Sequence, residues 1–258
     1  NMPSVAYLIT LAVGHCLLFS TASAAPGSHV VGGDHVTIEE FPYVIRCVGS
    51  LVSSWHGVTT SFSFTGAILT NMQVRAGSTN SLSGGLVVTI ADVIKHPDYT
   101  EAPRSNDIAV VRFRTPLGIS KVVNVLFLPP QNSHIDDGQS VKIVSWGFET
   151  ENGPQLETLK TVFLNKISLT ECESAFADTE DTVTISDTGK GMCMGDSGAP
   201  MVINNALVGC FSVFKDCLSD VYPDVFTRVD RYTNWILDVA VPGTARQAGI
   251  INAPVVAK

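Results

Sequence analysis

The sequence predicts an all-β fold closed by a single C-terminal helix, and three observations carry that prediction. Short apolar, β-branched runs recur along the chain, turn formers separate them, and only one stretch shows a helical period. That spacing of short strands and turns fits a sandwich or barrels.

The elements follow in order. Val5 to Phe19 is almost wholly apolar and ends on Ala22-Ser23-Ala24, a small-x-small cleavage site followed by Pro26 and Gly27. Residues 1–24 therefore read as a secretory signal peptide, too short to anchor in a bilayer. Strands are expected at Tyr43-Val44-Ile45, Gly66-Ala67-Ile68-Leu69, Leu86-Val87-Val88-Thr89-Ile90, Ile108-Ala109-Val110-Val111, Val141-Lys142-Ile143-Val144 and Ala206-Leu207-Val208-Gly209. Turns are expected at Gly77-Ser78-Thr79-Asn80, Pro129-Pro130, Glu151-Asn152-Gly153-Pro154 and Asp187-Thr188-Gly189. Pro130-Gln131-Asn132-Ser133 reads as a crossing between two halves. The helix is expected over Asp230 to Ala240, where Tyr232, Trp235, Ile236 and Val239 share one face. The tail over 241–258 has no periodicity.

Charge and cysteine content narrow the function classes. The formal net charge is -8, a surface that repels nucleic acid and anionic membranes. Removal of the leader takes Cys16 and leaves Cys47, Cys172, Cys193, Cys210 and Cys217, an odd number that fits an oxidising compartment with at least one thiol left over. No CxxC or HxxxH-like spacing exists, so neither a metal nor another cofactor is expected.

Several blocks carry a resemblance. They are Val30-Val31-Gly32-Gly33, Phe41-Pro42-Tyr43, Arg75-Ala76-Gly77-Ser78-Thr79, His96-Pro97-Asp98-Tyr99 and Asn106-Asp107-Ile108-Ala109. Further along come Ser145-Trp146-Gly147, Cys193-Met194-Gly195-Asp196-Ser197-Gly198-Ala199-Pro200 and Tyr222-Pro223-Asp224-Val225-Phe226-Thr227-Arg228-Val229. In this order they resemble the trypsin-like (chymotrypsin-family, S1) serine proteases, especially the secreted insect digestive enzymes. The resemblance implies two packed, antiparallel six-stranded β-barrels with a C-terminal helix and a cleft between them. It also implies a propeptide over 25–29, a protease domain over 30–240, secretion, a monomer, and protein or peptide substrates or protease inhibitors as partners.

Residue by residue, the resemblance implies Ser197 as nucleophile and Asp107 as the carboxylate that orients a histidine, supported by Ser212. The N–H groups of Gly195 and Ser197 would form the oxyanion hole. Asp196 would pair with the ammonium of Val30 after activation, although His29 precedes that bond where Arg or Lys is usual. Either another protease cuts there or the chain stays a zymogen. Gly191, Phe214 and Asp224 would line the substrate pocket, with Phe214 narrowing it and Asp224 offering a carboxylate from the opposite wall. Cys193 and Cys217 are the family-like disulfide pair.

The departures decide function. In the family a strand like Gly66-Ala67-Ile68-Leu69-Thr70 runs into a Thr-Ala-Ala-His-Cys segment, whereas here Thr70-Asn71-Met72-Gln73-Val74-Arg75 follows directly. On this reading the segment with the catalytic histidine is missing, Phe64 stands at its disulfide partner position, and the first barrel is incomplete. His29, His35, His96 and His134 read as loop histidines, and His56 is a weak substitute. A serine hydroxyl without an adjacent base is a poor nucleophile. The expectation is therefore a secreted serine-protease homologue with little or no proteolytic activity; the alternative is an active digestive endopeptidase whose sequence lacks one segment.

Overall fold

The structure is a computed structural model, and it describes residues 33–46, 49–70, 72–148, 154–168, 182–186, 190–213, 215, 217 and 222–240. The first strands are β1 (Asp34–His35), β2 (Val44–Arg46), β3 (Gly49–Leu51), β4 (His56–Thr59), β5 (Gln73–Ala76) and β6 (Leu86–Lys95). A small hairpin of β7 (Thr100–Glu101) and β8 (Arg104–Ser105) precedes β9 (Ala109–Phe113). After the crossing come β10 (Ser140–Ser145), β11 (Lys160–Lys166), β12 (Thr182–Ser186), β13 (Pro200–Ile203), β14 (Ala206–Val213), β15 (Asp224–Arg228) and the helix α1 (Thr233–Ala240). Strands β2-β3-β4-β9-β6-β5 close one barrel. The order β11-β10-β13-β14-β15-β12 closes the second through a β11–β12 pairing, with β1 added at β11. Every pairing in both barrels is antiparallel.

Period-two alternation explains where each strand points. On β9, Val110 joins the core between the barrels while Val111 and Phe113 fill the first barrel with Ile45, Leu51, Val74 and Ile90. In the second barrel Val141, Ile143, Val162, Leu164, Phe211 and Phe226 pack inward. The inter-barrel core takes the helix face, through Tyr232, Ile236 and Ala240 with Trp235 and Val239 beside them. Thr227 of β15 donates from Oγ1 to the carbonyl of Asp107 at 2.8 Å, so a hydrogen bond as well as apolar contact ties one barrel to the other. No helix among the described residues is long and apolar enough to cross a membrane.

Two expectations about the first barrel are overturned. The barrel is complete, with six strands and a closed ring of pairings. Gly66-Ala67-Ile68-Leu69 is not a strand but an irregular exposed stretch, with Gly66 at φ +69° and Ile68 81% exposed. Strand β4 leads through Thr60 and Ser61 into a 3-10 turn, Phe62–Phe64. Thr59-Thr60-Ser61-Phe62-Ser63 is thus the run that follows β4, and the N–H groups of Ser61 and Phe62 reach Asp107. Phe64, taken as a disulfide partner position, is a buried side chain of the first-barrel core. In the same turn Ser63 Oγ lies 2.6 Å from Thr60 Oγ1.

In the second barrel Cys193 and Cys217 form a disulfide, while Cys210 is a buried free thiol whose pKa is raised by burial. Cys47 and Cys172 lie outside the described residues. The Cys193–Cys217 bridge closes a loop with a sequence separation of 24, worth about 3 kcal/mol in the chain-entropy account. The Cys193→Ser/Cys217→Ser variant should therefore melt about 6–12 °C lower. Thermal denaturation followed by circular dichroism checks this, and an unchanged midpoint would remove the bridge from the stabilising contacts.

Candidate active site

Asp107 sits at the start of β9, where its neighbours fix it from both sides. Asn106 takes a left-handed φ of 49°, donates from Nδ2 to the Asp98 carbonyl and accepts from the Tyr232 hydroxyl at 3.0 Å. Ile108, on the other side, accepts at its carbonyl from Ser61 Oγ at 2.6 Å. The Asp107 side chain is 2% exposed-residue core, yet its oxygens are occupied: Ser212 Oγ donates to Oδ2 at 2.6 Å and the Phe62 N–H to Oδ1 at 2.7 Å. Burial raises its pKa; Ser212, the N–H groups of Phe62 and Ser61, and the charge of Arg104 oppose that rise.

The backbone of Phe62 is thus docked on the carboxylate, and its half-buried ring has a cation over it. The Arg104 guanidinium lies 3.5 Å from the ring centroid, and its Nη1 donates to the Ser212 carbonyl at 2.7 Å. The described histidines are placed elsewhere. His56 pairs in register with Arg112, three residues or about 10 Å along β9 from Ala109. Its Nδ1 lies 3.0 Å from Ser53 Oγ, and burial, with Arg112 second, lowers its pKa. The weak substitute is thus on the wrong end of the strand. His96 packs edge-on against Tyr232 and Trp235, His134 faces Asp136, and His35 lies in β1.

Ser197 is half-buried in the loop before β13, which is held by Gly198 N to Phe211 O at 2.8 Å and Phe211 N to Ala199 O at 3.0 Å. Gly195 has φ +81°, and a Cβ there would come within 2.7 Å of the Phe148 ring, so both backbone and space require glycine. Asp196, Gly198 and Ala199 donate their N–H groups to Cys193, Phe211 and Asp196 carbonyls respectively. Among the described residues the N–H groups of Gly195 and Ser197 have no acceptor.

Asp196 is fully buried and points the other way. Its Oδ1 accepts from Gly147 N and its Oδ2 from Cys193 N, both at 3.0 Å, with Ser145 adding a side-chain bond. Burial pushes its pKa up to about 6 against those three bonds. A Cβ on Gly147 would overlap this carboxylate outright, which explains the glycine after Trp146. Asp224 opens β15 and accepts from Met192 N at 2.7 Å, which places it against buried Gly191. Burial, reinforced by Asp196, pushes its pKa up to about 7 despite the Met192 bond. Val30 and Phe214 lie outside the described residues.

The structure thus brings together Asp107 and Ser212, and separately Gly191 and Asp224 around the 193–198 loop. Sequence reasoning missed Phe62 and Arg104. The signal for Phe62 lay in Thr59-Thr60-Ser61-Phe62-Ser63, one strand after Gly49-Ser50-Leu51; Arg104 reaches a residue 108 positions away and had no local signal.

Comparison with known proteins agrees with this architecture. A protein-family model described as Trypsin matches residues 30–236. The chain is 30% identical over 227 residues to Trypsin 5G1 of Aedes aegypti, covering 82% of this chain and 85% of that protein. It is 29% identical over 253 residues to the alkaline C trypsin of Manduca sexta, covering 89% and 97%. It is also 28% identical to a vitellin-degrading protease of Bombyx mori over 221 residues, covering 80% and 84%.

Proposed function

Because the chain belongs to the trypsin family of serine proteases, we propose that it is a secreted member that keeps the substrate cleft but hydrolyses peptides little or not at all. One observation carries the reading: the residue whose backbone docks on the Asp107 carboxylate is Phe62. In the family mechanism that carboxylate orients a histidine, which takes the proton of the nucleophile. A phenyl ring has no lone pair to accept it. Ser197 is then a hydroxyl without a base, and triad members act as a unit, so loss of one removes most of the rate. The N–H groups of Ser61 and Phe62 on Asp107 speak against an active enzyme with a segment lacking from its sequence.

The remaining groups fit a cleft that still binds. Gly195 and Ser197 keep N–H groups for a carbonyl oxygen, and Asp107 with Ser212 holds the floor. Asp196 is the partner for a freed Val30 ammonium, which would order the 193–198 loop. Gly191 and Asp224, with Phe214, line a narrow side-chain pocket. The ligands of such a cleft are peptide segments or the loops of protease inhibitors, taken up by a monomer with no cofactor.

A fluorophosphonate probe tests the reading, because it reports the reactivity of Ser197 itself. Labelling is expected to be slower than in an intact triad by orders of magnitude, with residual turnover no more than about 10³–10⁴-fold over water. Rapid labelling lost in Ser197→Ala would overturn it.

A further inference from the structure

The contacts of Arg104 exceed what a surface hairpin needs. Its guanidinium carbon lies over the Phe62 ring at 3.5 Å, Nη1 donates to the Ser212 carbonyl at 2.7 Å, and the charge acts electrostatically on Asp107. These three residues come from the β4 turn, from β14 and from the start of β9, so one side chain on the β7–β8 hairpin joins both barrels across the cleft. The arrangement has a cost, because Arg104 Nε is buried with no hydrogen-bond partner. A buried donor left unpaired is worth explaining, and the stack and the Ser212 bond are what hold the group there.

We propose that Arg104 is a positioning residue that closes this end of the cleft: it supplies the positive charge beside Asp107, seals Phe62, and occupies the Ser212 carbonyl. This rests on the reading that Phe62 stands in the base's place, and it deepens that reading. A cation at this position disfavours a second one, so the imidazolium that a base restored at position 62 would form on taking the Ser197 proton is opposed, and the ring is crowded by the guanidinium. Loss of activity is then secured twice, once by the residue type at 62 and once by the charge above it. The other charged and titratable groups here are Glu101, the register partner of Arg104, and Tyr99, which shares the field of Asp107, Glu101 and Arg104. Cys210 of β14, a buried thiol, also feels the charge of Asp107.

The test uses the full chain with Phe62→His, alone and combined with Arg104→Gln or Arg104→Lys. The pKa of the introduced imidazole is read by NMR, and labelling of Ser197 is read with a fluorophosphonate. Arg104→Gln is expected to raise the imidazole pKa by about one unit or more and to speed labelling at least tenfold over Phe62→His alone. Arg104→Lys keeps the charge and should keep the pKa low, which a merely structural arginine would not predict. The same pKa with and without Arg104, or equal labelling in the two backgrounds, overturns the proposal. Rapid labelling of the unmutated protein would instead sink the reading of Phe62, so the two failures are distinguishable.

Discussion

Replacing Asp196 by alanine is expected to cost about 4–6 kcal/mol of stability, because three buried donors lose the carboxylate that accepts from them, and Gly147 N keeps only a 3.4 Å contact to Ser145 Oγ. Those donors are Gly147 N, Cys193 N and the Ser145 hydroxyl, all gathered on a carboxylate with no exposed surface. Domains of this kind have about 5–15 kcal/mol in total, so the variant should be partly unfolded at 37 °C, with a melting point lower by about 10–20 °C. Urea denaturation checks this, and a loss below about 1 kcal/mol would show that the loop re-forms without the carboxylate. Asp196→Asn keeps one acceptor oxygen and removes a charge that burial disfavours, but it sets an NH2 against one of the two backbone N–H groups, so it should cost less than alanine without being neutral.

The same carboxylate sets a direction with pH. Its folded pKa of about 6 lies above the unfolded value, so the folded state binds more protons than the unfolded one in between. The contribution is fully present below about pH 4 and is lost as pH rises through 6. Asp224, raised to about 7, extends the window upward. In the uncut chain stability should therefore fall between about pH 4 and 7. Asp196→Asn should flatten the lower part of that slope and Asp224→Asn the upper part; a slope unchanged in both would place its origin elsewhere.

Asp107→Ala is the second large effect, about 3–5 kcal/mol. It strips acceptors from Ser212 Oγ and the N–H groups of Phe62 and Ser61, and it leaves the Arg104 charge without the carboxylate beside it. In a working protease the same substitution would be read first in turnover. On the reading proposed above it should be read in the urea midpoint, with Ser212→Ala costing only about 1 kcal/mol by comparison. A midpoint unmoved by Asp107→Ala would mean that the carboxylate is not a structural post of the cleft.

How far the sequence reached depended on whether a signal was local. The second barrel was legible because Val141 to Val144 and Ala206 to Gly209 alternate as barrel strands do, and they became the cores of β10 and β14. The helix was legible from its apolar face, which lies on the inter-barrel core as Tyr232 and Ile236 required. Gly66 to Leu69 misled because a short apolar run after a glycine has the same pattern whether or not a partner strand is present. Ile68 at 81% exposed shows that none is. The search for a base then passed over Phe62, since a phenyl ring carries no titratable atom to look for. Arg104 could not be placed at all, because its contacts are set by how two barrels pack rather than by its neighbours in the chain.

The misread stretch has a consequence of its own. Thr65 to Thr70 is an exposed, irregular connection between two paired strands, the kind of segment that other proteases cut first. A chain opened there would not come apart, because β2 and β4 upstream are hydrogen-bonded to β5 and β9 downstream. A molecule nicked there thus stays one particle with its cleft assembled.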